Sequence, residues 1–161
     1  MIKIDICSSR EQWSRFTDFY VEHRHRIIPD YKVSHAVRDV VNYMNHGRGA
    51  ILTEESGQVA GIGCFVLGLA EQQFEHKEIA VLGNSYFTEP YRSTRTFVRG
   101  LQVLAEQIGE AGVGKVKEVR IPTMADNDYT NRLYQKLTPK FQSLETPYGS
   151  LHVYSLSFDN F

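Results

Sequence analysis

Cysteine is nearly absent from this chain. Only Cys7 and Cys64 occur among its 161 residues; they form no Cys-x-x-Cys pair, and Cys64 sits in an apolar run. That argues against a disulfide framework and implies reduced thiols in a cytoplasmic setting. Net charge is also lacking: 18 basic residues against 19 acidic ones leave -1. No global field draws the protein to nucleic acid or to an anionic membrane, and charge-based binding must be local. No apolar stretch approaches the length of a membrane span, and the start, Met1-Ile2-Lys3-Ile4-Asp5-Ile6, has neither the basic nor the cleavable region of a signal peptide. Metal-ligand clusters are missing too. His23 and His25 are the closest pair among the six histidines, and at i and i+2 of a helix they point apart. What is present is a composition 42% hydrophobic and 12% aromatic, enough to fill the core of a single domain over residues 1–161.

Hydrophobic periodicity gives the order of elements. Residues 2–7 alternate as a strand; Ser8 or Ser9 can cap a helix bearing Trp13, Phe16, Phe19 and Tyr20, which ends by Pro29-Asp30. A second helix carries Val33, Val37, Val40, Val41 and Met44 on an expected buried face and stops near Gly47. Ala50–Thr53 and Val59–Leu67 flank the turn Glu55-Ser56-Gly57-Gln58 as a hairpin, and a third strand runs from about Glu78 to Thr88. Gly61 and Gly63 share one strand face, which leaves room for a ligand or, as expected here, only for a close-packed helix. Pro90 suits a helix's first turn, and Phe97, Leu101, Leu104 and Ile108 form the stripe of a helix ended at Gly109 or Gly112. Lys117–Pro122 follows as a strand. Asp126 or Asn127 caps a helix with Tyr129, Leu133 and Leu137 buried, and Phe141–Thr146 with Leu151–Phe158 closes the sheet.

Two segments carry candidate chemistry. In the first, Glu89-Pro90-Tyr91-Arg92-Ser93-Thr94-Arg95-Thr96 lies between a strand end and a helix start. A helix N-terminus offers unpaired N–H groups and a positive dipole end, which suit a phosphate. Arg92, Arg95 and Arg99 fall at i, i+3 and i+7, on one helical face. A solvated helix start with ordinary basic residues fits the same pattern. In the second, Asn127, Thr130 and Tyr134 recur on one stripe of the next helix while Leu133 and Leu137 face the core. A phenol there can donate a proton or simply be half buried with its hydroxyl in water.

Together these segments resemble the GNAT superfamily of acyl-CoA N-acyltransferases. Asn127-x-x-Thr130-x-x-Leu133-Tyr134-x-Lys136-Leu137 is similar to that family's Asn-x-x-Ala-x-x-Leu-Tyr-x-Lys pattern, with Thr130 for the alanine and Thr138-Pro139 where Gly-Phe is usual. The resemblance implies an α/β (α+β) fold: a mixed, mostly antiparallel sheet flanked by about four helices. It also implies acetyl-CoA as co-substrate without a metal, and a small-molecule or protein amine as acceptor. A homodimer is left open. By resemblance Tyr134 is the acid toward the departing thiolate, and Asn127 contacts the cofactor arm or acceptor. The cradle comprises Tyr86, Phe87, Thr88, Arg92, Ser93, Thr94, Arg95 and Thr96. A backbone N–H near Phe87 is expected to polarise the donor carbonyl, where negative charge develops.

The cradle departs from the family pattern. Arg95 and Phe97 occupy positions that are usually small, where glycine would let backbone approach a pyrophosphate. Either Arg95 turns toward the phosphates while Phe97 joins the buried stripe, or the domain is a catalytically silent binding or assembly module. The stretch Val81-Leu82-Gly83-Asn84-Ser85-Tyr86, where the family often places an acidic base, holds no carboxylate. Glu78 is then the chosen base, ahead of Glu75, His76 and Glu89, and Asn84 could only position a water.

Overall fold

The computed structural model describes residues 2–161, except for the side chain of Thr94. That residue's expected side-chain role lies outside the described residues. Strand β1 (Lys3–Ile6) leads to helix α1 (Arg10–Glu22), the short α2 (Arg24–Ile27) and α3 (Val33–His46). Ser9 caps α1 by a reciprocal arrangement: its hydroxyl accepts from the Gln12 N–H while the Gln12 side chain accepts from the Ser9 N–H. There follow β2 (Gly47–Thr53), β3 (Val59–Leu69), β4 (Glu75–Leu82) and β5 (Tyr86–Phe87). The remainder is α4 (Thr94–Ala111), β6 (Glu118–Met124), α5 (Asp128–Gln135), β7 (Phe141–Thr146) and β8 (Gly149–Ser157). The mixed, mostly antiparallel sheet with five helices agrees with the expected fold class.

In the sheet the order is β1-β2-β3-β4-β6-β8-β7, with β5 also on β3. Every pairing is antiparallel except that of β4 with β6. Each face carries its own core. Phe16, Phe19, Tyr20, Val40, Tyr43, Ile51, Ile62 and Cys64 pack on the side of α1 and α3. Phe65, Leu82, Leu104, Ile108, Ile121, Tyr134 and Tyr154 pack on the side of α4 and α5. Cys64 and Phe65 are adjacent in sequence and fall in opposite cores, as the two-residue period of a strand requires. A Cβ on Gly63 would lie 3.6 Å from Leu104, whereas one on Gly61 would strike the Phe87 ring at 2.4 Å. Gly61 therefore serves packing, against β5 rather than a helix, while a side chain at Gly63 would meet Leu104 of α4 only at ordinary contact distance.

Four sequence expectations need correcting. Val33, Val37, Val41 and Met44 are exposed, and α3 buries Ala36, Val40 and Tyr43 instead. The helix carries two apolar stripes, and small Ala36 gives the one that fits closely against the rest of the core. Pro90 belongs to a 3-10 turn over Glu89–Tyr91, and α4 starts only at Thr94 with Ser93 as its cap. Arg92 therefore precedes the helix and cannot share a helical face with Arg95 and Arg99. Tyr129 and Leu137 are exposed, because α5 ends at Gln135 and turns Asn131, Leu133 and Tyr134 inward.

Candidate active site

The expected third strand is in fact two, β4 and β5, laid along the same edge of β3. Leu82 pairs with Phe65 and Tyr86 with Ile62, so three residues, Gly83, Asn84 and Ser85, stand opposite two. This is a one-residue β-bulge. It is clamped from the α1/α3 side. The Gly83 N–H donates to the Cys64 carbonyl at 2.9 Å, and a Cβ on Gly83 would lie 2.5 Å from Cys64 Sγ and 2.7 Å from the Tyr43 ring.

Parallel pairing between β4 and β6 covers only Ile79–Val81 opposite Glu118–Arg120. Beyond it β6 continues to Met124 paired to β8, while β4 and β5 stay with β3. The sheet is therefore open between the bulge and Ile121–Met124. The Thr88 N–H donates to the Ala60 carbonyl at 2.9 Å, which fixes the phase of the ladder. Thr88 and Tyr86 turn their backbone groups toward β3, and Phe87 turns its own away, toward the opening. The Phe87 carbonyl accordingly accepts from Arg92 Nε at 2.8 Å.

An apolar cleft of about 580 Å³, counting the space open to solvent, runs from this opening beneath α4. Leu82, Gly83, Ser85, Phe97, Gly100 and Tyr134 are among its lining residues. Tyr134 reaches it from α5, with its ring 5.7 Å from Phe97 and 5.8 Å from Tyr154. It is only 7% exposed, and burial pushes its phenol up to about 12. Among the described residues no group hydrogen-bonds its hydroxyl, in contrast to its neighbour Tyr154. The Tyr154 hydroxyl donates to Asn131 Oδ1 at 2.6 Å.

Other expected site residues are placed as follows. Ser93 Oγ accepts from the Thr96 N–H at 3.2 Å and donates to Thr96 Oγ1 at 3.1 Å, so both hydroxyls are committed to capping α4. The N–H groups of Thr94 and Arg95 are left without partners within the helix. Arg92 lies over the Tyr86 ring, 4.9 Å from its centroid, and donates to the Tyr86 hydroxyl. Tyr86 also stacks on His23 at 5.0 Å. Arg95 and Arg99 are exposed and make no ion pair among the described residues. Asn127 caps α5 by accepting from the Thr130 N–H at 3.1 Å, and Thr130 Oγ1 contacts Thr123 Oγ1 of β6 at 2.5 Å. Neither belongs to the cleft lining.

Glu78 is not brought to the cleft. It lies on the closed side of the β4/β6 pairing, four residues before Leu82, roughly 13 Å along an extended chain. There it is half exposed and 3.4 Å from His76. Sequence reasoning also missed Asn131, which is buried. Its Nδ2 donates to the carbonyls of Met124 at 3.0 Å and Asn127 at 2.8 Å, and its Oδ1 accepts from Tyr154. It thereby ties the end of β6, the start of α5 and β8 together behind Tyr134. Only its position one turn after the cap Asn127 hinted at this.

No protein-family model matches the sequence, and neither does any curated protein. Solved structures do share the fold. An N-acetyltransferase from Staphylococcus aureus Mu50 is 17% identical, with 98% of this chain and 99% of that one covered at a TM-score of 0.68. A GCN5-related N-acetyltransferase from Kribbella flavida is 13% identical over 97% of both chains at 0.67. A ribosomal-protein alanine N-acetyltransferase from Escherichia coli is 16% identical over 98% of this chain and 94% of that one at 0.66. At such identities the likeness is one of fold, and the fold of this chain is that of the GNAT acetyltransferases.

Proposed function

We propose that this protein moves an acetyl group from acetyl-CoA to a primary amine, with Tyr134 returning a proton to the departing thiolate. The observation that carries this reading is the placement of Tyr134. Its phenol lines an apolar cleft beside the open stretch of the sheet, and no protein group competes for its hydroxyl among the described residues.

The residues present fit the co-substrate. Next to an apolar cleft that suits a thioester arm, α4 begins with two unpartnered N–H groups and the exposed Arg95, which suit a diphosphate. When bound, acetyl-CoA supplies an activated acyl thioester. Phe87 offers an N–H on the side of the opening for a carbonyl oxygen that gains charge. Tyr134 holds the proton. A free thiol near 8.5 would leave a thiolate too weakly basic to take a proton easily from a phenol pushed up to about 12. Desolvation in the cleft raises a thiol as it raises a phenol, which brings the departing thiolate closer to Tyr134.

Among the described cleft residues there is no carboxylate. The amine must therefore arrive neutral or lose its proton to water, and an alkylammonium titrates at roughly 10.4. The rate at subsaturating amine is expected to climb about tenfold per pH unit through neutrality, with no plateau until the amine itself titrates. A level profile above pH 7 would instead reveal a protein base.

A specific feature favours a second reading, a catalytically silent binding domain: the Phe97 ring narrows the cleft beside Tyr134. Calorimetric titration with acetyl-CoA, followed by thiol detection over a panel of amines, separates the two. Binding with thiol release is expected; absence of heat and of thermal shift at millimolar acetyl-CoA sinks the transferase reading.

A further inference from the structure

The cleft beside Tyr134 does not end at the opening of the sheet. It runs on beneath α4, with Gly63 of β3, Ala50 and Leu52 of β2 and Ile4 of β1 in its lining. Register puts these residues in line with the bulge. The bulge stands opposite Gly63, Gly63 pairs with Ala50, and Leu52, one pleat along, pairs with Ile4. From the bulge to β1 the sheet crosses three strand spacings, about 14 Å. With carbon–carbon bonds of about 1.5 Å, that is several bonds more than an acetyl group spans.

This trough has two walls. On one side the Phe87 ring stands between the sheet and α4: a Cβ on Gly61 would strike it, and one on Gly100 would lie 3.6 Å from it. On the other side Phe65 is fully buried. Arg48, its pair on β2, reaches up to α4, where Nη1 donates to Gln107 Oε1 at 2.6 Å and to Glu110 Oε1 at 3.0 Å. Gly100, Val103 and Leu104 form the roof. Between the walls floor and roof meet at glycines that nothing in the packing requires. Neither Gly63 nor Gly100 has a positive φ, and a Cβ on either would meet nothing nearer than 3.6 Å, unlike one on Gly61 or Gly83. Glycine inside a strand or helix is unfavourable relative to alanine, and protein interiors are otherwise filled to crystal density. Gly63 stays partly exposed with strands on both sides and α4 above it, so the space is reached from outside. Among the described lining residues only Ser85 and Tyr134 carry polar side-chain groups. Tyr134 is 7% exposed, and its hydroxyl has no described partner.

We propose that the trough is an acyl-chain site: the preferred donor is butanoyl- or hexanoyl-CoA rather than acetyl-CoA, with the hydrocarbon lying on Gly63 and Ala50 beneath Gly100. The proposal rests on the transferase reading for its reaction and extends the donor of that reading. The step is unchanged. The amine nitrogen bonds the carbonyl carbon, the C–S bond breaks, the sulfur takes the Tyr134 proton, the proton shed by the nitrogen goes to water, and water restores the phenol. A chain that ends in a carboxylate is refused, because the trough would leave that charge buried and unpaired.

The test uses the full chain, with calorimetric titration of acetyl-, butanoyl-, hexanoyl- and succinyl-CoA, and thiol release with n-butylamine. Each buried methylene should tighten binding about fourfold, equivalent to about 0.8 kcal/mol. Butanoyl-CoA should therefore bind about 15-fold more tightly than acetyl-CoA, with kcat/KM in the same order, and succinyl-CoA should not share the gain. Gly100→Ala puts a methyl group into the roof at a helix position that favours alanine. It should fold as wild type does and cut the preference for hexanoyl- over acetyl-CoA at least about fivefold; Gly63→Ala should do the same from the floor. Equal affinity of wild type for acetyl- and hexanoyl-CoA, or equal losses for both in Gly100→Ala, overturns the proposal. Should Gly63→Ala fail to fold, Gly100→Ala decides alone. If affinity rises with chain length but no amine is acylated, the transferase reading falls and the site stands. If acetyl-CoA is the preferred donor, the reading stands and the site falls. If no acyl-CoA binds, the reading falls by itself and 1-hexanol judges the trough. It should shift the Gly63 and Gly100 amide signals of nitrogen-15-labelled protein, and signals that do not move overturn the site.

Discussion

Tyr134 and Tyr154 sit side by side, and their different partners separate their roles. Both rings belong to one core, but the Tyr154 hydroxyl is bound to Asn131, whereas Tyr134 lines the cleft with no described group hydrogen-bonded to its hydroxyl. Tyr134→Phe therefore removes a proton donor without stranding a buried partner. Its kcat is expected to fall about 100-fold with the acetyl-CoA KM within about twofold, measured by thiol release. A comparable loss in KM would make the phenol a binding group only. In sequence Tyr134 was legible, because its motif, its helix and its chemistry coincide in one short segment. Gly100 was not. Its missing side chain is given meaning by Gly63 and Ala50, residues of β3 and β2 that no local pattern links to it.

At the scale of elements, the bulge is the part on which the site depends. It diverts β5 from β4 by one residue, aims the Phe87 N–H at the opening, and rests on Cys64 and Tyr43. Gly83→Ala would place a methyl group about 2.5 Å from Cys64 Sγ. Overpacking of this kind costs about 1–3 kcal/mol. The midpoint of denaturant unfolding is expected to drop accordingly. Unchanged stability would mean that the bulge is free to shift. The sequence reads as one strand from Glu78 to Thr88, since β4, bulge and β5 are all apolar enough to be extended. It is the register against β3 that divides them, and register is a property of two strands together. The displaced start of α4 has a related cause: Arg92 bonds Tyr86 and the Phe87 carbonyl instead of continuing a helical face.

For the molecule as a whole, the concentration of buried phenols sets a limit at alkaline pH. Tyr20 and Tyr134 are each pushed up to about 12, chiefly by burial, and Tyr31 and Tyr43 are also raised by burial first. In the unfolded chain a tyrosine loses its proton near 10. Between that value and the folded one, the unfolded state binds fewer protons, so stability falls as pH rises. The contribution is present in full below about pH 10 and is lost at about 1.4 kcal/mol per pH unit for each such tyrosine. Urea unfolding at about pH 9, 10 and 11 should show a steepening loss, shallower in Tyr20→Phe. A flat profile would mean that these phenols are not desolvated together.

The sequence by itself determined the order of the main strands and helices, a serine cap at the start of α1, and the helix that carries Tyr134, because each depends on residues within a turn or two of one another. Only the tertiary structure decided which of two apolar stripes on α3 is buried, where β4 parts from β6, and that Glu78 stays on the closed side. Those outcomes follow from strand register and from hydrogen bonds between segments far apart in the chain, and neither leaves a periodic trace in one sequence.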